Sequence, residues 1–367
     1  MTTSTPSIPS KMRALQVVKF NAPYEIRTIP VPEPGPHDLL VKVAVASYCH
    51  TDSMVAAGKF DSKLPQTASH EGSGTIVAVG DSVTSFKIGD RAMCGLPLHP
   101  CGECEDCMGP VESHRQYCTR VTGHIGVTTQ GCAAEYVLAD ARMSTKLPDS
   151  VTFLSAAPLA CAGRTVYRAV LQTGLKPGQW VAIVGSGGGL GHLGIQFARA
   201  AGLKVVGIDA RDEGLVLSRE HGSDAVLDAR REKADVVREV QALTDGKGVD
   251  SAIVLADHAE ALAAAVTRMH GTVVQVAQPD QISVPFVELI FRDIRFKGTL
   301  VASPRESEDM MRCIAEHGVK VRTNPFHGLE SIEDLLGTVK SGKLQGKAVL
   351  VVDPEQIEAE KKIGAKF

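Results

Sequence analysis

The sequence predicts an α/β protein of two parts, a doubly wound parallel sheet in its second half and a second, mostly β unit in its first half. Three observations carry this. The chain has 367 residues, which suggests two domains. From Trp180 onward, short apolar strands alternate with helical stretches, the pattern of βα units on a parallel sheet. Before that, Lys11 to Val83 is a series of short alternating or apolar runs broken by proline and glycine.

Composition excludes several classes. Hydrophobic residues make up 44% and charged residues 22%, as in globular proteins with large cores. A formal net charge of -3 argues against a nucleic-acid binder held by phosphate contacts. No apolar run approaches the roughly 18 residues of a membrane span. Met1 to Ser10 lacks the apolar core of a signal peptide and the arginines of a transit peptide, so a short lead-in to a cytoplasmic protein is expected. The nine cysteines are an odd number and argue against a disulfide framework. Cys101, Cys104, Cys107 and Cys118 are clustered, and clustered cysteines in a reducing compartment are more often metal ligands than bridges. Cys49, Cys94, Cys132, Cys161 and Cys313 are scattered.

In chain order, Lys11–Val18 and Tyr24–Ile29 read as strands, and the proline-rich Pro30–Pro36 as a turn or edge connection. Leu39–Ala46 reads as a buried strand. It delivers Cys49, His50, Thr51 and Asp52, which together offer a thiolate, an imidazole, a hydroxyl and a carboxylate. Such a cluster suits a metal site with a proton path. In Ser69-His70-Glu71-Gly72-Ser73-Gly74, the glycines are expected to let the backbone pass a cofactor or metal shell, and His70 is the natural second ligand for Cys49. Pro158 marks a junction, after which the chain reads as helix to Ala169.

Trp180–Val184 is a buried-strand signal that runs into Gly185-Ser-Gly-Gly-Gly-Leu-Gly191 and the helical His192–Ala201. Gly202 ends that helix and Lys204–Ile208 is the next strand. The loop, with Gly185, Gly188, Gly189, Leu190 and Gly191, lets backbone N–H groups approach a pyrophosphate at the helix N-terminus. Asp209 follows about 20 residues on, where a carboxylate accepts the ribose hydroxyls of NAD and repels the 2′-phosphate of NADP. NAD is therefore the expected cofactor, with Arg211 able to soften the rejection of NADP. Further strands are expected at Ser251–Leu255, Thr272–Val276 and Ile294–Val301, with Ala259–Met269 helical, giving a six-stranded, mostly parallel sheet. Ser307–Glu316 and Ser331–Lys340 read as helices and Gln345–Asp353 as a final strand.

The frame His70-Glu71-x-x-Gly74-x(5)-Gly80-x-x-Val83, with Cys49-His50-Thr51-Asp52 before it, resembles the zinc-dependent medium-chain alcohol dehydrogenases of the yeast and bacterial branch. The likeness runs from about Met12 to Asp353. It implies a GroES-like catalytic domain over residues 1–158 and 302–367, with a zinc lobe at about 98–120. A Rossmann NAD-binding domain is implied over 159–301. It also implies two zincs. Cys49, His70 and Cys161 would hold the catalytic ion and leave one position open, the shell known for alcohol dehydrogenases. Cys101, Cys104, Cys107 and Cys118 would close a structural tetrahedron. Ten residues separate Cys107 from Cys118, where the family usually has seven, and the enlargement holds Gly109, Pro110 and His114. Ser69 stands where the family has glycine, and a minor backbone adjustment is expected.

The remaining roles follow from the same resemblance. Thr51 passes on the substrate proton, His50 faces the cofactor pyrophosphate, Asp52 orients His70, and Glu71 lies beside the metal. Lys347 matches a basic position near the pyrophosphate. Met54 stands where many relatives end the relay with a histidine, so the proton is expected to leave by the cofactor ribose and then solvent or His50. Phe60 and Leu96 replace two tryptophans that narrow the pocket, which implies room for longer or aromatic primary alcohols. If zinc shifts a bound alcohol as it shifts bound water, from ~15.7 to ~7, the effect is worth roughly 11 kcal/mol.

The expected function is interconversion of alcohols with aldehydes or ketones by hydride exchange with NAD(H). The expected partners are a small alcohol or aldehyde and further copies in a homodimer or homotetramer, with no nucleic acid and no membrane. A polyol or secondary-alcohol dehydrogenase would use the same ligands. Quinone reductases lack them, and a binding protein without turnover would be expected to have lost some.

Overall fold

The strand Asp38–Ser47 is buried along almost its whole length, which is why it reads as an unbroken apolar run. It pairs antiparallel with Glu71–Val79, Tyr136–Asp140 and Lys347–Val351, and so forms the spine of a seven-stranded sheet. Lys11–Val17, Glu25–Pro30 and Gln66–Thr67 form a separate three-stranded sheet. Residues 8–109 and 114–367 are described by the computed structural model. The start of the expected N-terminal lead-in and Pro110 of the enlarged loop lie outside them.

Gly72 and Gly74 serve a different purpose from the one expected. A side chain at Gly72 would meet the Cys132 sulfur at 2.5 Å, and one at Gly74 would meet the Lys42 carbonyl at 2.0 Å. The glycines make room for a packed thiol and for the neighbouring strand, not for a cofactor.

The second sheet has six parallel strands. Their spatial order is Ala225–Asp228, Lys204–Asp209, Trp180–Val184, Val249–Val254, Thr267–Gln275 and Arg295–Gly298. The order reverses beside Trp180–Val184, and the crevice at the carboxyl ends of the strands is where such sheets bind ligands. Ala225–Asp228 was not expected, because four residues are too few to show a period. The helix expected to reach Met269 ends at Val266, where Thr267 begins the next strand by pairing with Val249. The edge strand is also shorter than expected, Arg295–Gly298.

Pro158 does not interrupt the helix. It sits inside continuous helix from Phe153 to Gln172, in which Leu159–Gly163 forms a wide, π-type turn. Such turns absorb a disturbed hydrogen-bond ladder and often lie at functional sites. Helices Pro304–His317 and Ile332–Lys340 fall near their expected places. Thr323–His327 is an unexpected strand, its proline concealing it, and it pairs parallel with Lys347–Val351. Among the described residues, no helix is long and apolar enough to cross a membrane.

Gly74 and Gly337 give a test of the packing. Gly74→Ala should destabilise the fold by about 1–3 kcal/mol, because the added carbon meets backbone. Gly337→Ala, inside a helix with nothing within 4 Å, should stabilise it by up to about 1 kcal/mol. Denaturant unfolding of both variants measures this, and equal behaviour would contradict the strand packing described.

Candidate metal and cofactor site

Cys49 caps the short helix His50–Ala56, so the four-residue cluster is a helix start and not a loop. Asp52 makes this geometry. One carboxylate oxygen accepts the Cys49 N–H at 2.7 Å, and the other accepts the Ser69 N–H at 3.1 Å. The latter oxygen also lies 3.5 Å from Nδ1 of His70. The expected support of His70 is therefore a long contact, and the closer bonds of Asp52 go to the Cys49 and Ser69 backbones.

Ser69 has φ of 67°, a left-handed conformation that favours glycine. The serine holds this conformation through its own side chain. Its hydroxyl donates to the Ser47 carbonyl at 2.8 Å and accepts the Glu71 N–H at 3.3 Å, which offsets the backbone cost.

Cys161 lies on the π-type turn. Ligand atoms of Cys49, His70, Glu71 and Cys161 all fall within 4.8 Å of one another. Two thiolates and an imidazole are a donor set that suits zinc. The neighbouring Cys161 sulfur, against the penalty of burial, draws the Cys49 thiol well below its usual range, and Lys347 and His70 add to this.

Glu71 is held by two contacts. Oε1 accepts the Ala162 N–H at 3.2 Å, and Oε2 lies 2.7 Å from Lys347 Nζ. Both side chains of this ion pair are buried. Burial pushes the Glu71 carboxyl up, and Lys347 opposes that rise. Lys347 is therefore neither a solvated lysine nor simply a phosphate contact. Its stem passes 2.8 Å from where a side chain on Gly189 would begin, so it spans from the glycine loop to Glu71.

In the separate lobe, the sulfurs of Cys101 and Cys107 are 3.9 Å apart, those of Cys104 and Cys118 are 3.8 Å apart, and those of Cys118 and Cys101 are 3.7 Å apart. A tetrahedral zinc with Zn–S bonds of ~2.3 Å requires about 3.8 Å between sulfurs, so the residues fit this ion. The longer excursion before Cys118 does not prevent closure. Tyr117 within it accepts the Leu300 N–H at 3.1 Å, which docks the lobe on the neighbouring unit.

A cleft of about 600 Å³ lies at the carboxyl ends of the parallel strands, lined by Gly185, Gly188, Asp209, Arg211 and Leu255 among others. Gly185 has φ of 88°, and a side chain at Gly191 would meet the Gly185 carbonyl at 2.2 Å, so the tight turn needs glycine at both. Leu190 caps the helix Gly191–Ala200, whose N-terminus faces the loop. Asp209 accepts the N–H groups of Gly187 at 2.8 Å and Arg211 at 3.0 Å, and its oxygens retain lone pairs for hydroxyl donors. Arg211 is tied to the carbonyls of Gly187, Gly342 and Leu344. Arg231, Lys233 and His258 also line the cleft. Sequence reasoning missed them because they follow strand ends with no motif of their own. His50 is exposed, whereas Thr51, Phe60 and Leu96 are half-buried.

Fold and donor sets together define a zinc-binding dehydrogenase with a GroES-like unit. Residues 35–149 match the family model of the alcohol dehydrogenase GroES-like domain, and residues 189–316 match that of the zinc-binding dehydrogenases. Alcohol dehydrogenase 1 of Emericella nidulans is 35% identical over 94% of this chain and 99% of its own length. An alcohol dehydrogenase of Geobacillus stearothermophilus is 34% identical over 93% and 100%. The crystal structure of the alcohol dehydrogenase from the archaeon Aeropyrum pernix aligns with a TM-score of 0.83 and 30% identity, over 92% of this chain and 99% of that one. The chain belongs to the zinc-type medium-chain alcohol dehydrogenase family.

The buried pair can be tested directly. Lys347→Met would strand the Glu71 carboxylate and should cost ~3–5 kcal/mol of folding stability. Adding Glu71→Gln should restore most of that loss. Denaturant melts of the single and double variants measure this, and a Lys347→Met protein as stable as the parent would contradict an ionised pair.

Proposed function

We propose that the protein is a zinc-dependent, NAD-linked alcohol dehydrogenase acting on primary alcohols, in either direction. The observation that carries this reading is the convergence of Cys49, His70 and Cys161 beside Lys347, whose stem runs back to the glycine loop. The catalytic unit is residues 1–158 and 302–367, and the cofactor unit is 159–301. Each chain binds two zincs, one at Cys49, His70 and Cys161 and one at Cys101, Cys104, Cys107 and Cys118. Zinc held by Cys49, His70 and Cys161 would supply the Lewis acidity that lowers the pKa of a bound alcohol, and a nicotinamide in the cleft would supply the hydride acceptor.

The chain's own groups handle the proton and the orientation. Thr51, two residues past Cys49, offers a hydroxyl to the departing proton. His50 beside it is exposed and can pass the proton to solvent, whereas Met54 cannot. Asp52 fixes the Cys49 and Ser69 backbones, and with them the spacing of the ligands. Glu71 keeps an anion beside the metal ligands, balanced by Lys347. Asp209, buried at the cleft, favours the two ribose hydroxyls of NAD over a 2′-phosphate. Leu96 and Phe60 leave a pocket wide enough for longer or aromatic alcohols.

The protein is cytoplasmic, and nine cysteines with no disulfide among them suit that compartment. It assembles as a homodimer or homotetramer. Phe286, Ile290 and Phe291 are 70%, 70% and 68% exposed just before the edge strand Arg295–Gly298, and a second copy would cover them.

NADH absorbance on a panel of ethanol, hexanol and benzyl alcohol, with NAD and NADP in parallel, tests the reading. Turnover with all three alcohols and a preference for NAD is the expected result. Strict preference for ethanol would contradict the pocket, and zinc binding without turnover would favour a binding protein. Thr51→Val should lower kcat by ~10²–10⁴. Full turnover in that variant would remove Thr51 from the proton path.

A further inference from the structure

His192 is fully buried in the first turn of the helix Gly191–Ala200. Its Nδ1 lies 3.1 Å from the carbonyl of Gly188 in the glycine loop, and its Nε2 lies 3.1 Å from the backbone N of Arg322. A carbonyl only accepts and an amide N–H only donates. The ring must therefore be neutral, with its proton on Nδ1. Burial, helped by His221, holds it neutral by pushing its pKa down to about 3.

One turn along the same helix, Gln196 grips the Lys320 peptide from both sides. Its Nε2 donates to the Lys320 carbonyl and its Oε1 accepts the Lys320 N–H, each at 2.8 Å. The helix that begins at the glycine loop is thus laced to residues 320–322, which lead into a strand of the other sheet. The Arg322 carbonyl in turn accepts the Lys347 N–H at 2.8 Å. A side chain at Gly346 would meet that same carbonyl at 2.0 Å, so the approach is as close as it can be.

We infer that His192 is a positioning residue for the cofactor: its neutral imidazole ties the glycine loop to the Arg322 peptide and thereby places Lys347 between the pyrophosphate site and Glu71. The contact makes one path of hydrogen bonds from Gly188 through His192, Arg322 and Lys347 to Glu71. The inference rests on the NAD reading of the cleft.

Two isosteric variants separate the bonds. In His192→Asn the amide nitrogen replaces Nδ1 and the bond to Arg322 is lost. In His192→Gln the amide oxygen replaces Nε2 and that bond is kept. The Gly188 carbonyl also accepts the His192 N–H, so it is not orphaned in either. His192→Asn should weaken NADH binding, followed by fluorescence titration, by roughly 3- to 10-fold. KM for NAD should rise by the same factor, with kcat little changed and zinc content unchanged. His192→Gln should recover most of the affinity. Arg322→Ala should leave it unaltered, because the contact uses the peptide and not the side chain. Amide hydrogen exchange at Arg322 without cofactor should be faster in His192→Asn and near the parent rate in His192→Gln. Equal NADH affinity in the Asn and Gln variants, or a loss in kcat alone, would overturn the inference. If exchange separates the variants but the parent binds no NADH, the contact stands while the cofactor reading, and the positioning role with it, falls.

Discussion

The carboxylate of Asp52 is the group on which the metal site depends. Cys49 and His70 come from different segments, a helix start and a strand start, and nothing in their local sequence sets the distance between them. Asp52 sets it by accepting the Cys49 N–H with one oxygen and the Ser69 N–H with the other. A buried, negatively charged group that accepts two backbone N–H bonds is strongly fixed in place. Cys161 is brought to the same cluster by a different device, the wide turn that carries it within helix. Two of the three segments are locally irregular: a left-handed serine precedes His70 and a π-type turn carries Cys161. Such irregularities cost free energy and persist where the surrounding fold enforces them.

The second constraint is electrostatic. Glu71 and Lys347 are both buried, and a buried pair is stable only when its geometry is close and its remaining atoms are bonded. Glu71 meets this condition through the Ala162 N–H, next to Cys161. Lys347 belongs to the strand that returns from the C-terminal part of the chain to the first sheet. The pair therefore joins a strand from near the end of the chain to ligands from its first half, beside the glycine loop.

Much of this was legible in the sequence. The strand, glycine loop and helix from Trp180 to Ala201 could be read because each carries its own local signal, and so could Asp209 at the end of the next strand. The clustering of the four lobe cysteines was legible from their spacing, and their closure into one tetrahedron was expected from the family resemblance. Cys161 was visible only through family resemblance, since nothing around a lone helical cysteine marks it. The turn geometry that presents it was hidden, because Pro158 reads as a break when it lies inside helix. Ser69 was legible as a departure from the family, but not its left-handed backbone or the two hydroxyl bonds that sustain it. Gly72 and Gly74 were misread because their close neighbours, Cys132 and Lys42, are distant in sequence. Ala225–Asp228 and Thr323–His327 exist through pairing with neighbouring strands and not through any pattern of their own.

The central claim is that three separated segments build one zinc shell while the lobe builds another. Elemental analysis of zinc combined with X-ray absorption on the parent protein and on Cys161→Ser tests it most directly. Two zincs per chain are expected in the parent. One tightly held zinc, coordinated by sulfur alone, is expected in the variant. A single zinc in the parent, or two undisturbed zincs in Cys161→Ser, would contradict it.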